Sequence, residues 1–188
     1  MNKTTRICFL FVTWVLVLLA EHLYRDELFQ ASLPFIKRIR HDLPIDKGLI
    51  KHAEKLVSSD SMLIVFGVSI TLLDFEHISV TSLGQSSALM IYSLQKMLVR
   101  EPRPFFVDSE IEVWSCSHLE FGSPSGHSFL GTTGYTLLWA MILVYFKASR
   151  TTWVLSFVLI LFPLTMVIVF TRVYEGMHSL DQVLFAYL

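Results

Sequence analysis

An all-α bundle of membrane-crossing helices is the fold class this sequence predicts, and three observations carry it. Of 188 residues, 53% are hydrophobic and only 16% are charged, against about 25% charged in soluble domains. The apolar residues gather in long runs rather than in short amphipathic repeats. The charged residues gather in the gaps, where a membrane helix would turn. A net charge of -1 offers no basic field, so nucleic acid is not an expected partner. The two cysteines, Cys8 and Cys116, cannot build a disulfide framework.

A membrane helix needs about 20 mostly apolar residues. The first run, 5–23, follows Lys3 and Arg6 as a signal peptide would. Leu18 is bulky where a cleavage site needs a small residue, so we read a retained, short transmembrane helix. Residues 21–60 hold seven Lys/Arg and seven Asp/Glu, and Pro34 and Pro44 are expected to split them into short interfacial pieces. This gives a first unit, 1–60, and a transmembrane core, 61–188. The second helix is expected at 61–73 and the third at 78–99. Gln85, Ser86, Ser87 and Gln95 make the third less apolar, so it should face the protein interior. A loop, 100–125, precedes the fourth helix at 126–146. The fifth, 152–171, should kink at Pro163. An apolar pattern resumes at Val183, and the six residues to Leu188 span roughly 9 Å as helix, far short of the ~30 Å core. The sequence therefore reads as a six-helix plan whose sixth helix is truncated or missing.

Counting crossings places the 100–125 loop and the 172–181 loop on one face. Lys96, Arg103, His127, Arg172 and His178 all fall there, each at a helix end rather than in mid-bilayer. Three cations near one mouth suit the non-bridging oxygens of a phosphoryl group, which arginine forks match with charge-assisted bonds. Ser125 and Gly126 stand at the start of the fourth helix, where free N–H groups and the dipole favour an anion. Glycine permits close approach, and Pro124 fixes the turn into the helix. Imidazole can attack phosphorus and imidazolium can protonate a leaving oxygen near pH 7. His178 lies between Arg172 and Asp181, and a carboxylate there would orient its ring.

Read together, K96-x6-R103-P104, PSGH at 124–127 and R172-x5-H178 resemble the motifs of the type 2 phosphatidic acid phosphatase superfamily. This group includes lipid phosphate phosphatases, polyprenyl pyrophosphate phosphatases, glucose-6-phosphatase and soluble vanadium haloperoxidases. The resemblance covers about 60–188. It implies that Lys96, Arg103 and Arg172 hold phosphate with Ser125 and Gly126. It further implies that His178 is the nucleophile forming a phosphohistidine, that His127 is the general acid, and that no metal or other cofactor takes part. The family's third motif usually has Ser before its Arg and Asp four residues after its His. Here Thr171 and Gln182 stand at those places, and Asp181 is one residue early, about 100° around a helix. A backbone carbonyl or Gln182 would then orient His178. CSHLEFGSPSGH also looks like the glucose-6-phosphatase branch.

These readings lead to an integral-membrane phosphohydrolase acting on a phosphate ester or pyrophosphate. Lipid phosphate is favoured and sugar phosphate comes next. The alternative is a weakly active or inactive family member serving as a structural subunit of a membrane complex, and a homo-oligomer fits either case. Basic residues at the N-terminus and at 147–151 lie opposite the active face, which places the site on the lumenal or exoplasmic side. The remaining histidines, including His118 beside Cys116, lack metal spacing. Asp108, Glu110, Glu112 and Glu120 read as a solvated loop face. Trp14, Trp114, Trp139, Trp153 and Tyr174 read as membrane belt or core.

Overall fold

The computed structural model describes residues 2–55, 67, 69–71, 73–112 and 120–187, and every regular element among them is helical. The expected second helix, 61–73, falls largely outside the described residues, as do Trp114, Cys116 and His118.

Helix α1 runs unbroken over Lys3–Asp42, capped by the Asn2 side chain, which accepts from Thr5 N–H at 2.8 Å. Its 40 residues give roughly 60 Å, about twice a hydrocarbon core. The first half exposes Ile7, Phe9, Leu10, Phe11 and Leu16, as a lipid-facing surface would. The expected break at Pro34 does not occur. A helix-interior proline costs ~3 kcal/mol. On the face away from the exposed Pro34, however, Phe29, Ser32, Leu33 and Ile36 are buried. Three such apolar side chains contribute about 1.5–3 kcal/mol each, so packing wins. Only Pro44 interrupts the chain, before α2, Lys47–Lys55.

Helix α3, Phe75–Val99, is capped by Asp74 and turned at its end by Arg100 in the left-handed region (φ 48°). It presents a stripe inward, with Thr81, Ala88 and Lys96 buried and Gln85 and Gln95 half-buried. Ser86 and Ser87 instead lie on the exposed face, contrary to the expectation. Serines on this helix satisfy themselves: Ser79, Ser82, Ser87 and Ser93 donate to the carbonyl four residues earlier at 2.7–2.8 Å. A polar side chain bonded to its own helix does not need the interior. At Gly84 the approach to the next long helix is close, since a Cβ there would lie 2.8 Å from Leu137 Cδ1.

After the short α4, Pro104–Val107, the fourth span opens as a widened π-turn, His127–Gly131, and continues as α5, Thr132–Tyr145. The fifth comprises α6, Arg150–Ser156, a second π-turn, Phe157–Leu161, and α7, Phe162–Tyr174. That widened turn ends two residues before Pro163, whose ring leaves the Leu159 carbonyl without its usual donor. The last element is α8, Leu180–Phe185. Among the described residues three spans are long and apolar enough to cross a membrane: Lys3–Asp42, His127–Tyr145 and Arg150–Tyr174.

One core joins the N-terminal stretch to the rest. Phe29, Leu33 and Ile36 of α1 pack with Ile111, Val173 and Val183. Polar ties follow the same seam: Arg40 Nε donates to the Tyr174 carbonyl at 2.6 Å, and the buried Tyr174 hydroxyl donates to the Leu43 carbonyl. The acidic loop is pinned rather than merely solvated, because Lys37 pairs with Asp108 and Glu110 and Lys47 with Glu112. The second half of α1, with α2, therefore lies over the end of the bundle where the motif residues emerge.

Candidate active site

Three segments bring the motif residues together. The last turn of α3 turns Lys96 inward, where its Nζ donates to the Tyr92 hydroxyl at 2.6 Å. Arg100 then reverses the chain, and Pro104 starts α4, which leaves Arg103 at its N-cap with 2% exposure. The Arg103 fork is fully engaged. Nε donates to the Glu120 carbonyl at 3.0 Å, Nη1 donates to the Met177 carbonyl at 3.0 Å and Nη1 meets His178 Nε2 at 3.2 Å. Arg172, at the end of α7, is 1% exposed.

His178 is buried between these groups, with Nδ1 2.9 Å from the Gly122 carbonyl oxygen. A carbonyl only accepts, so Nδ1 carries the proton and the Nε2 lone pair faces Arg103 Nη1. Burial drives the His178 pKa well below its usual value, and Arg103, Arg172, Lys96 and His127 push the same way. Arg103 meets the imidazole directly, and the charges of Arg172, Lys96 and His127 act on it from nearby. Neutral imidazole is the form that can act as a nucleophile.

Asp181 is not the group that orients His178. It lies beside Glu101, where burial and the Asp181 charge raise Glu101 to about 8. Both Asp181 oxygens and Glu101 Oε2 are buried, and the two carboxyl groups lie within hydrogen-bonding reach of each other. Two acids so placed retain a proton between them. The one-residue displacement seen in the sequence has turned this carboxylate away from the imidazole. The backbone of Gly122 holds it instead.

Ser125 also differs from expectation. Its N–H donates to the Gln182 carbonyl at 3.0 Å, so that amide is not free for an anion. Its hydroxyl accepts from Ser128 at 3.0 Å. Gly126 is needed for space, since a Cβ there would lie 2.7 Å from the Tyr92 hydroxyl. His127 begins the π-turn and is half-buried.

Carboxylates already occupy the cation cluster. Glu120 bridges Lys96 Nζ at 3.2 Å and Arg103 Nη2 at 3.3 Å, so it is no bystander on a loop face. Arg172 Nη2 pairs with Glu175 at 2.7 Å and with Glu54 of α2 at 3.0 Å. Burial raises Glu175 to about 7 against the pull of Arg172. Sequence reasoning missed Glu54, Glu120, Tyr92 and Gly122. Glu120 and Gly122 carried a local signal, as members of the CSHLEFGSPSGH stretch, and the other two carried none.

Comparison with protein-family models matches residues 78–188 to the PAP2 superfamily. The chain belongs to the PAP2 superfamily. The matched stretch contains all eight sequence-predicted site residues, from Lys96 to Asp181, whereas Glu54 lies outside it. No curated protein and no solved structure matches the chain. PAP2 membership supports a phosphatase acting on phosphate esters, and the long apolar helices support a membrane protein.

Proposed function

We propose that this PAP2 member is an integral-membrane phosphohydrolase that works through a phosphohistidine at His178. The observation that carries the reading is the buried, neutral His178, with its Nε2 lone pair turned toward the cations. Lys96, Arg103 and Arg172 take the phosphoryl oxygens, and the Ser125–Gly126 turn flanks them. The Nε2 lone pair attacks phosphorus, the bond to the ester oxygen breaks, and His127 gives that oxygen a proton. His127 then accepts a proton from water, whose oxygen attacks the phosphohistidine and releases phosphate. Fixed cations supply most of the assistance that phosphoryl transfer needs. No metal is assigned a step.

The substrate class is a lipid phosphate or pyrophosphate, with sugar phosphate next. The site lies at the ends of apolar spans, where a headgroup meets water while its tail stays in the bilayer. The basic ends at Lys3, Arg6, Lys147 and Arg150 favour the cytoplasm, which puts the site on the lumenal or exoplasmic side.

Purified protein should release phosphate from phosphatidate, a prenyl pyrophosphate or a sugar phosphate in EDTA, and His178→Ala should abolish both turnover and acid-labile phosphate labelling. A folded full-length sample without turnover would overturn this in favour of a structural subunit in a membrane complex. For orientation, Cys116 in a Cys8→Ser background should react with an impermeant maleimide from outside right-side-out vesicles; protection there would reverse the assignment.

A further inference from the structure

Gln182 makes contacts out of proportion to its place in the sequence. It is fully buried. Its Nε2 donates to the Pro102 carbonyl at 2.7 Å, next to Arg103. Its Oε1 accepts from Ser179 N–H at 3.3 Å, next to His178. Its own carbonyl accepts from Ser125 N–H at 3.0 Å, at the PSGH turn. The flat face of its amide lies against Gly122, where a Cβ would come within 2.5 Å of both Nε2 and Oε1. The Gln182 side chain therefore touches the Pro102, Gly122 and Ser179 segments, and its backbone carbonyl holds Ser125.

We propose that Gln182 is a positioning residue for the phosphohydrolase reaction: it fastens the Pro102, Gly122, Ser125 and Ser179 segments so that the Gly122 carbonyl faces His178 Nδ1 and the unprotonated Nε2 points toward Arg103, where the phosphoryl group would sit. The inference rests on the phosphohydrolase reading above. Gln182 does not touch the imidazole; it acts through Gly122. An amide is needed because the place demands a donor and an acceptor on one planar head. A carboxylate would turn an oxygen toward the Pro102 carbonyl. It would also join Glu101 and Asp181, two acids that face this place with Arg25 of α1 as a nearby cation. With the Gly122 carbonyl displaced, the ring could rotate or exchange its proton to Nε2. The lone pair would then no longer face phosphorus. A displacement of ~1 Å at such a site costs on the order of 100-fold in rate.

Full-length Gln182→Glu and Gln182→Met, in the same detergent as wild type, test this. Gln182→Met should lower phosphohistidine formation and kcat by about 100-fold at every pH, while KM and vanadate affinity stay within about threefold, because the cations remain in place. Gln182→Glu should match it at pH 8 yet recover about tenfold relative to wild type near pH 5, where a protonated carboxyl donates to the Pro102 carbonyl again. Rates within threefold of wild type, a Gln182→Glu deficit independent of pH, or vanadate affinity falling together with rate would each overturn it. If neither variant folds, nitrogen-15 histidine spectra of wild type decide, with His178→Ala giving the assignment. His178 must carry its proton on Nδ1, and the opposite tautomer refutes the proposal. That measurement does not depend on turnover, so an inactive wild type would sink the phosphohydrolase reading and leave this one separately testable.

Discussion

Replacing Glu120 by glutamine should tighten phosphate binding. Its carboxylate bridges Lys96 at 3.2 Å and Arg103 at 3.3 Å, two of the cations that a phosphoryl group would take. A phosphate must displace it, so affinity is lowered by whatever those contacts are worth. The Glu120 side chain is 52% exposed. Each contact is therefore screened like a surface ion pair, at about 0.5 kcal/mol rather than the several kcal/mol of a buried pair. Two such contacts give about 1 kcal/mol, which is a factor of about five. Glu120→Gln keeps the length of the side chain, and the backbone carbonyl that binds Arg103 Nε is unaffected. Inhibition by vanadate and inorganic phosphate should strengthen about fivefold and KM should fall similarly, with kcat little changed. Competition assays at fixed ionic strength measure this directly. Weaker inhibition by vanadate in the variant would refute the reasoning, because it would mean that Glu120 supports the anion site rather than competing for it.

Burial lifts Glu101 from 4.5 to about 8. The folded chain thus holds a proton that the unfolded chain releases, and the stabilisation present at acid pH is lost as pH rises toward 8. Melting in detergent should drop between about pH 5 and 8, and Glu101→Gln should flatten that slope; a steeper slope in the variant would contradict the acid pair. Ile36→Ala, in the fully buried contact between α1 and the core, should cost about 2–5 kcal/mol, read as a lower melting temperature. No change would mean that this half of α1 does not pack as described. Gly126→Ala drives a methyl toward the Tyr92 hydroxyl, which accepts from Lys96. Phosphate affinity should weaken about tenfold, and an unchanged vanadate constant would show that Tyr92 does not support Lys96. The low pKa of His178 should put the acidic limb of kcat/KM below the ordinary histidine range, and a limb near 6.5 would show that the ring is more solvated than the structure makes it.

The groups around His178 were legible because charge in mid-bilayer is costly, which confines it to helix ends and makes motif residues there conspicuous in an apolar chain. Helix ends near Asp74 and Gly126 could be read for the same local reasons. What could not be read depends on partners far away in the chain. Pro34 is a local stop signal, overridden by Ile111, Val173 and Val183 packing against the opposite face of α1. Ser86 and Ser87 looked like interior residues because polarity was scored without asking where each hydroxyl bonds. The displaced Asp181 pointed to a backbone carbonyl or Gln182 as the partner of His178, but which carbonyl could not be read, since every residue possesses one and no letter of the sequence marks it. Glu54 and Glu120 reach their arginine and lysine across long separations that charge counting along the chain does not reveal.

Helix α1 has a mechanical consequence. It is an uninterrupted rod, half lodged among lipid tails and half fixed over the chemistry by Ile36 and by Arg40 on the Tyr174 carbonyl. Tilting about 30 Å of such a rod by about 5° swings its far end by about 3 Å. That distance is close to a hydrogen-bond length, so the thickness of the surrounding bilayer has leverage on the contacts that α1 makes with the segment around Tyr174.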